Sequence, residues 1–120
     1  MVEDDFAERL DGVRKRFAAK LIGRIDEIDA ALPAMVGEGT EVAAAVYGAH
    51  RKVHDLCGIG PTLGFEATGK AARVCERILL QPSRGERGLN QQEMAHLQEG
   101  LVALRAAAHT DMQTTGAGVE

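Results

Sequence analysis

Eight apolar residues, Phe6, Leu10, Val13, Phe17, Leu21, Ile25, Ile28 and Leu32, recur at intervals of three or four along the first part of the chain. That spacing follows the turn of an α-helix and gathers them onto one face. Arg14, Lys15, Arg16, Asp26 and Glu27 lie between them and read as a solvated face. Gly12 and Gly23 weaken such a helix by about 1 kcal/mol each relative to Ala. Pro33 stops it, because the residue before a proline is pushed out of helical geometry. A helix this long with a single apolar stripe needs other elements to cover it.

The rest of the chain supplies them. Gly37-Glu38-Gly39-Thr40 reads as a turn with Thr40 as helix cap. A second helix then turns Val42, Val46, Ala49, Val53 and Leu56 inward and is expected to fail around Gly58-Ile59-Gly60-Pro61. A third begins near Phe65 and runs through Thr68, Ala72, Cys75 and Leu79 to a loop over 81–88. Asn90 caps a fourth, which buries Met94, Leu97, Leu101, Leu104 and Ala108. The spacing therefore predicts an all-α chain, an antiparallel up-down-up-down four-helix bundle over residues 1–110. The Gly/Thr-rich stretch 111–120 is expected to be a disordered tail, and Met1 to Asp5 to fray. A monomer is expected, since each helix has one stripe and the other three can cover it.

Composition removes several function classes. The 14 basic and 18 acidic residues leave a formal charge of −4, which argues against non-specific nucleic-acid binding. No apolar run is long enough for a membrane span. The acidic first five residues lack the apolar core of a secretory signal, and Met1 favours a free protein over a piece of a larger kinase. Two cysteines, Cys57 and Cys75, are too few for a disulfide scaffold and suggest a reducing, cytoplasmic setting.

The second helix carries the candidate chemistry. His50 and His54 each follow a core position by one residue, about 100° around the axis, at the boundary with water. Gly58, four residues after His54, has no side chain to cover the imidazole. A neutral imidazole mounted this way can act as a nucleophile toward a group brought by another molecule. The plainer reading is a solvated helix histidine.

The segment from His50 through Phe65 resembles the signature of histidine-containing phosphotransfer (Hpt) domains. That signature reads His, any residue, Leu or Ile, Lys, Gly, five residues and another Gly. His54, Leu56, Gly58 and Gly64 fall in register, Phe65 follows, and the match continues without a gap to Ala72, Cys75 and Glu76. The resemblance implies a four-helix bundle that takes a phosphoryl group on Nε2 of His54 from an aspartyl phosphate of a response-regulator receiver domain. It then passes the group to another receiver, within a multistep two-component phosphorelay that can include a hybrid histidine kinase. Glu76 would hold Nδ1. Such a protein is a phosphotransfer intermediate with no ATP-dependent kinase activity, and it needs no cofactor or metal because the receiver supplies Mg²⁺.

One position departs from the signature: Cys57 stands where the family has Lys. Residues 50–77 hold five cations and three acids in an otherwise acidic chain, so Arg51 and Arg73 are candidate replacements as phosphate contacts. Ile59, Pro61 and Leu63 are candidates for an apolar docking surface beside His54.

Other motifs are weaker. Gly64-Phe65-Glu66-Ala67-Thr68-Gly69-Lys70-Ala71 nearly matches a nucleotide-binding P-loop but lacks the final hydroxyl residue and a preceding strand. Gly58, Gly60 and Gly64 imitate a dinucleotide loop, again without a strand. His50 and His54 could ligate zinc only with Cys57, His96 or His109, and Arg51 stands where a zincin has Glu. The rival from a different class is a non-catalytic helical adaptor in which His54 is incidental.

Overall fold

The long first stripe folds as a 30-residue helix, α1 (Val2–Ala31), and passes into a 3₁₀ turn over Leu32–Met35 at Pro33. The computed structural model describes residues 2–116, with side chains from Asp5 onward. Three further helices follow: α2 (Thr40–Thr62), α3 (Glu66–Arg84) and α4 (Gln91–Thr115). No strand occurs among the described residues. The fold is all-α, with α3 packed along both α2 and α4 and α1 laid against α4 and α2. Leu21, Ile25 and Ile28 of α1 meet Val46 and Val53 of α2, Ala72, Cys75 and Leu79 of α3, and Leu97, Leu101 and Leu104 of α4 in one buried cluster.

Several boundaries differ from the sequence expectation. Gly39, at φ +113°, takes the cap position before α2, and Thr40 is already helical. Helix α2 does not fail at Gly58 but runs on to Thr62 with Pro61 inside it. Packing overrides propensity there: Pro61 seats on α3 at Gly69, where a Cβ would lie only 2.5 Å from Pro61 Cγ. Helix α3 likewise continues through a buried Pro82 to Arg84, which shortens the expected loop. Asn90 does cap α4, its side chain and that of Glu93 forming a reciprocal capping box.

The expected disordered tail is corrected over 111–115, where α4 continues to Thr115; residues 117–120 lie outside the described residues. The reason is Asp111. Its buried carboxylate accepts from the backbone N–H of Thr68 at 2.7 Å and from the Thr68 hydroxyl at 2.8 Å. Thr68 is the third residue of α3, so α4 caps a helix that has no capping side chain at its own start. The expected fraying of Met1 to Asp5 is also corrected in part: α1 is helical from Val2, and Met1 is not described.

The turn between α2 and α3 is short. Gly64 adopts φ +87°, a conformation that favours glycine, and Phe65 packs edge-on against Phe17 with ring centroids 4.9 Å apart. The Arg14 Nε donates to the Leu63 carbonyl at 2.9 Å and ties α1 to this turn.

Replacing Asp111 by Ala leaves two buried donors of α3 unpaired, so Asp111→Ala is expected to cost about 1–3 kcal/mol. Urea unfolding followed by circular dichroism checks this; an unchanged midpoint would contradict the capping role.

Candidate functional site

The site is assembled two turns above the α2–α3 turn. His54 lies seven residues before Pro61 and Glu76 seven residues after Gly69, so each stands about 10 Å along its helix from the close contact of Pro61 with Gly69. At that height the His54 Nδ1 hydrogen-bonds to Oε2 of Glu76. A carboxylate can only accept, so Nδ1 carries the proton, and in the neutral ring the lone pair then lies on Nε2. The His54 side chain is 63 % exposed, whereas that of Glu76 is 19 % exposed. The ring is thus open to solvent, and the carboxylate that hydrogen-bonds to it is sheltered.

Gly58 has the geometry expected of it. It is exposed, and a Cβ built there meets nothing within 4 Å, so the space one turn beyond His54 is open.

The second oxygen of Glu76 is also held. Cys57 Sγ lies 3.7 Å from Oε1 and donates to it. The hydrogen bond to His54 is the main influence that lowers the Glu76 pKa, against partial burial that raises it. Burial pushes the Cys57 thiol up to about 11, and Cys75 likewise to about 11, so both are protonated at neutral pH. Cys57 is therefore a neutral donor to Glu76 and not a nucleophile. Nothing in the motif, where Cys57 is a departure, or in the cysteine count assigns this contact with Glu76 to Cys57. Its place one turn after His54, on the side facing α3, was the available signal.

The two candidate arginines behave differently. The Arg51 Nη1 donates to the Tyr47 hydroxyl at 3.2 Å, and its guanidinium lies 5.9 Å from the Tyr47 ring centroid. Arg51 is thus occupied one turn back along α2. Arg73 is exposed on α3, near enough to Cys57 to act electrostatically on its thiol, and is free of any ion pair among the described residues. Ile59 is 50 % exposed and Pro61 is exposed, but Leu63 is buried in the core and drops out as a docking residue.

His50 is no second copy of His54. Its ring stacks beside that of His54 at 6.2 Å, but it is half-buried and its Nε2 is enclosed without a partner. No group of three or more His, Cys, Asp or Glu among the described residues is placed to hold a metal ion. The P-loop-like segment lies in the α2–α3 turn and along α3, with no strand before it. No helix is long and apolar enough to cross a membrane among the residues described.

Comparison with family models, with curated proteins and with solved structures yields no match.

Burial lowers the His50 pKa, so folding favours its neutral form. Its contribution to stability is full above the unfolded histidine value of about 6.5 and is lost as pH falls through the lower folded value. His50→Gln is expected to flatten the stability profile on the acid side of pH ~6.5. Denaturant midpoints at stepped pH for both proteins check this; identical acid slopes would contradict it.

Proposed function

We propose that this chain is a histidine phosphotransfer protein of a multistep phosphorelay, of the Hpt type that its sequence resembles. The observation that carries the reading is an exposed imidazole whose Nδ1–H is fixed by a sheltered carboxylate, leaving Nε2 as the reactive nitrogen.

An antiparallel up-down-up-down order fits the reading. Between α2 and α3, His54 pairs with Glu76 and Gly60 approaches Gly69, so numbers rise on one helix as they fall on the other. Between α3 and α4 the contacts of Thr68 with Asp111 and of Cys75 with Gly100 run the same way.

The chemistry asks little of the protein beyond placement. The Nε2 lone pair attacks the phosphorus of a receiver's aspartyl phosphate. A P–N bond forms, the P–O bond to the aspartyl oxygen breaks, and the carboxylate leaves with that electron pair. The ring becomes positively charged, and the Glu76 carboxylate on Nδ1–H offsets that charge as it develops. Transfer onward is the reverse reaction with a second receiver. The Mg²⁺ belongs to the receiver, which binds the phosphoryl oxygens from its own side. Arg73 is the better placed of the two arginines to meet phosphoryl oxygens, since Arg51 is engaged with Tyr47. Ile59 and Pro61 give an exposed apolar surface for the receiver to rest on. The reading implies a cytoplasmic location, where receivers and hybrid kinases present their aspartates.

Incubation with a phosphorylated receiver tests the proposal. The expected product is a labelled protein, labile in acid and stable in alkali, with no label on His54→Gln. Gly58→Gln is expected to lose transfer at unchanged helicity, because its side chain enters the open space beside the ring. A folded wild-type chain that no cognate receiver labels would favour the helical adaptor.

Cys57 has its own test. Cys57→Ala removes one of the two donors to Glu76 and is expected to slow transfer severalfold, about 1 kcal/mol for one hydrogen bond. Cys57→Ser keeps a donor and is expected to recover most of the rate. Equal rates in all three proteins would show that the thiol does not position Glu76.

A further inference from the structure

The apolar stripe of α1 outruns the bundle that covers it. From Leu21 onward the stripe is buried, Phe17 and Leu10 are half-buried, Val13 is 39 % exposed and Phe6 is 65 % exposed. The Arg14 contact with Leu63 marks where α1 meets the α2–α3 turn. Asp5 to Arg9 are all exposed, and the molecule is 56 Å long but only 22 × 20 Å across. The expectation of a monomer assumed that every stripe is covered within the chain. Phe6 and Val13 are not.

The charges of α1 are segregated along it. Asp5, Glu8 and Asp11 surround the exposed stripe with Arg9 among them, and Asp11 is paired with Lys15 of the next turn at 3.2 Å. Residues 12–25 carry Arg14, Lys15, Arg16, Lys20 and Arg24 and no acid. Beside that basic half, α1 and the end of α2 leave an open groove. Phe17, Leu56 and Ile59 line it, Arg16, Lys20 and Arg24 stand along it, and Asp55 is the one acid on its wall. Such a groove suits a helix that presents a large apolar side chain flanked by carboxylates. The free end of α1 is such a helix, with Phe6 between Asp5 and Glu8. It cannot reach its own groove, because the same continuous helix forms one wall.

We propose that the free end of α1 docks in the α1–α2 groove of a second copy of this chain, the two copies exchanging segments about a two-fold axis. The two α1 helices then run antiparallel. With Leu10 opposite Val13 of the second copy, Phe6 falls opposite Phe17 and Glu8 opposite Lys15, and the symmetry makes each contact twice. The like-charge pairing in that register is Arg9 with Arg14, and Arg14 is already turned inward to the Leu63 carbonyl. This inference does not depend on phosphotransfer, and it makes a second copy compete with a receiver for Ile59.

The test is the mass of the full chain in solution, by light scattering or sedimentation over a range of concentration and salt. The expected result is a rise from 12.8 kDa to twice that value with concentration, weakened by salt. A basic variant, Asp5→Lys with Glu8→Lys, and an acidic variant, Arg16→Glu with Lys20→Glu, alter exposed positions only. Each is expected to be monomeric alone, and an equimolar mixture is expected to dimerise. A wild-type mass that stays at the monomer value overturns the proposal, as does dimerisation of either variant alone at wild-type strength. A monomeric wild type whose transfer from a receiver falls in the acidic variant would assign the groove to an acidic receiver surface, and would also overturn it.

Discussion

The contact of Pro61 with Gly69 sets the spacing on which the candidate site depends. Two helices can approach this closely only where one of them lacks a side chain, and a Cβ at Gly69 would stand 2.5 Å from the Pro61 ring. Gly60 adds to the approach, since its own Cβ would meet the Phe65 carbonyl at 3.2 Å. Two turns away, the separation fixed there is the distance that the His54 and Glu76 side chains span. Asp111 contributes from the far side by capping the start of α3, the helix that carries Glu76. The site thus rests on backbone packing and capping more than on any charged network.

Charge around the imidazole is sparse. Glu76 is the partly sheltered carboxylate, held by a ring N–H on one oxygen and a thiol on the other. With the thiol pushed up to about 11, Cys57 is neutral where the motif's lysine would be positively charged. In exchange it restrains the group that orients the ring. Arg73 is exposed and acts on the Cys57 thiol from α3, whereas Arg51 is committed to Tyr47. A phosphoryl group on His54 would therefore meet a more neutral surface than the motif's lysine provides, with Glu76 as the main electrostatic control over the ring.

Much of this was legible in the sequence, because helical period and glycine spacing are local signals. The stripes from Leu21 to Ile28 and from Val46 to Leu56, the cap at Asn90, and the place of Gly58 one turn after His54 follow from residue spacing alone, whereas the pairing of Glu76 with His54 is what the resemblance to the Hpt signature implies. The errors came where tertiary contact overrode local propensity. Gly58 through Pro61 read as a helix end, yet α2 passes through them because Gly69 makes room for Pro61. The stretch from Asp111 read as a polar tail, yet its first carboxylate is buried against Thr68, a partner 43 residues away. Phe6 and Val13 fit the core stripe by period, but period cannot say how far the neighbouring helices extend. The roles of Cys57 and Arg51 were hidden for the same reason, since each is defined by a contact and not by spacing.

The central claim is that Nε2 of His54 takes the phosphoryl group while Glu76 retains Nδ1–H. Nitrogen-15 and phosphorus-31 NMR of the protein after incubation with a phosphorylated receiver tests it most directly. The expected result is phosphorus coupled to Nε2 of His54, with the Nδ1 proton still present and hydrogen-bonded. Phosphorus on Nδ1, on another side chain, or absent from a correctly folded protein would contradict it.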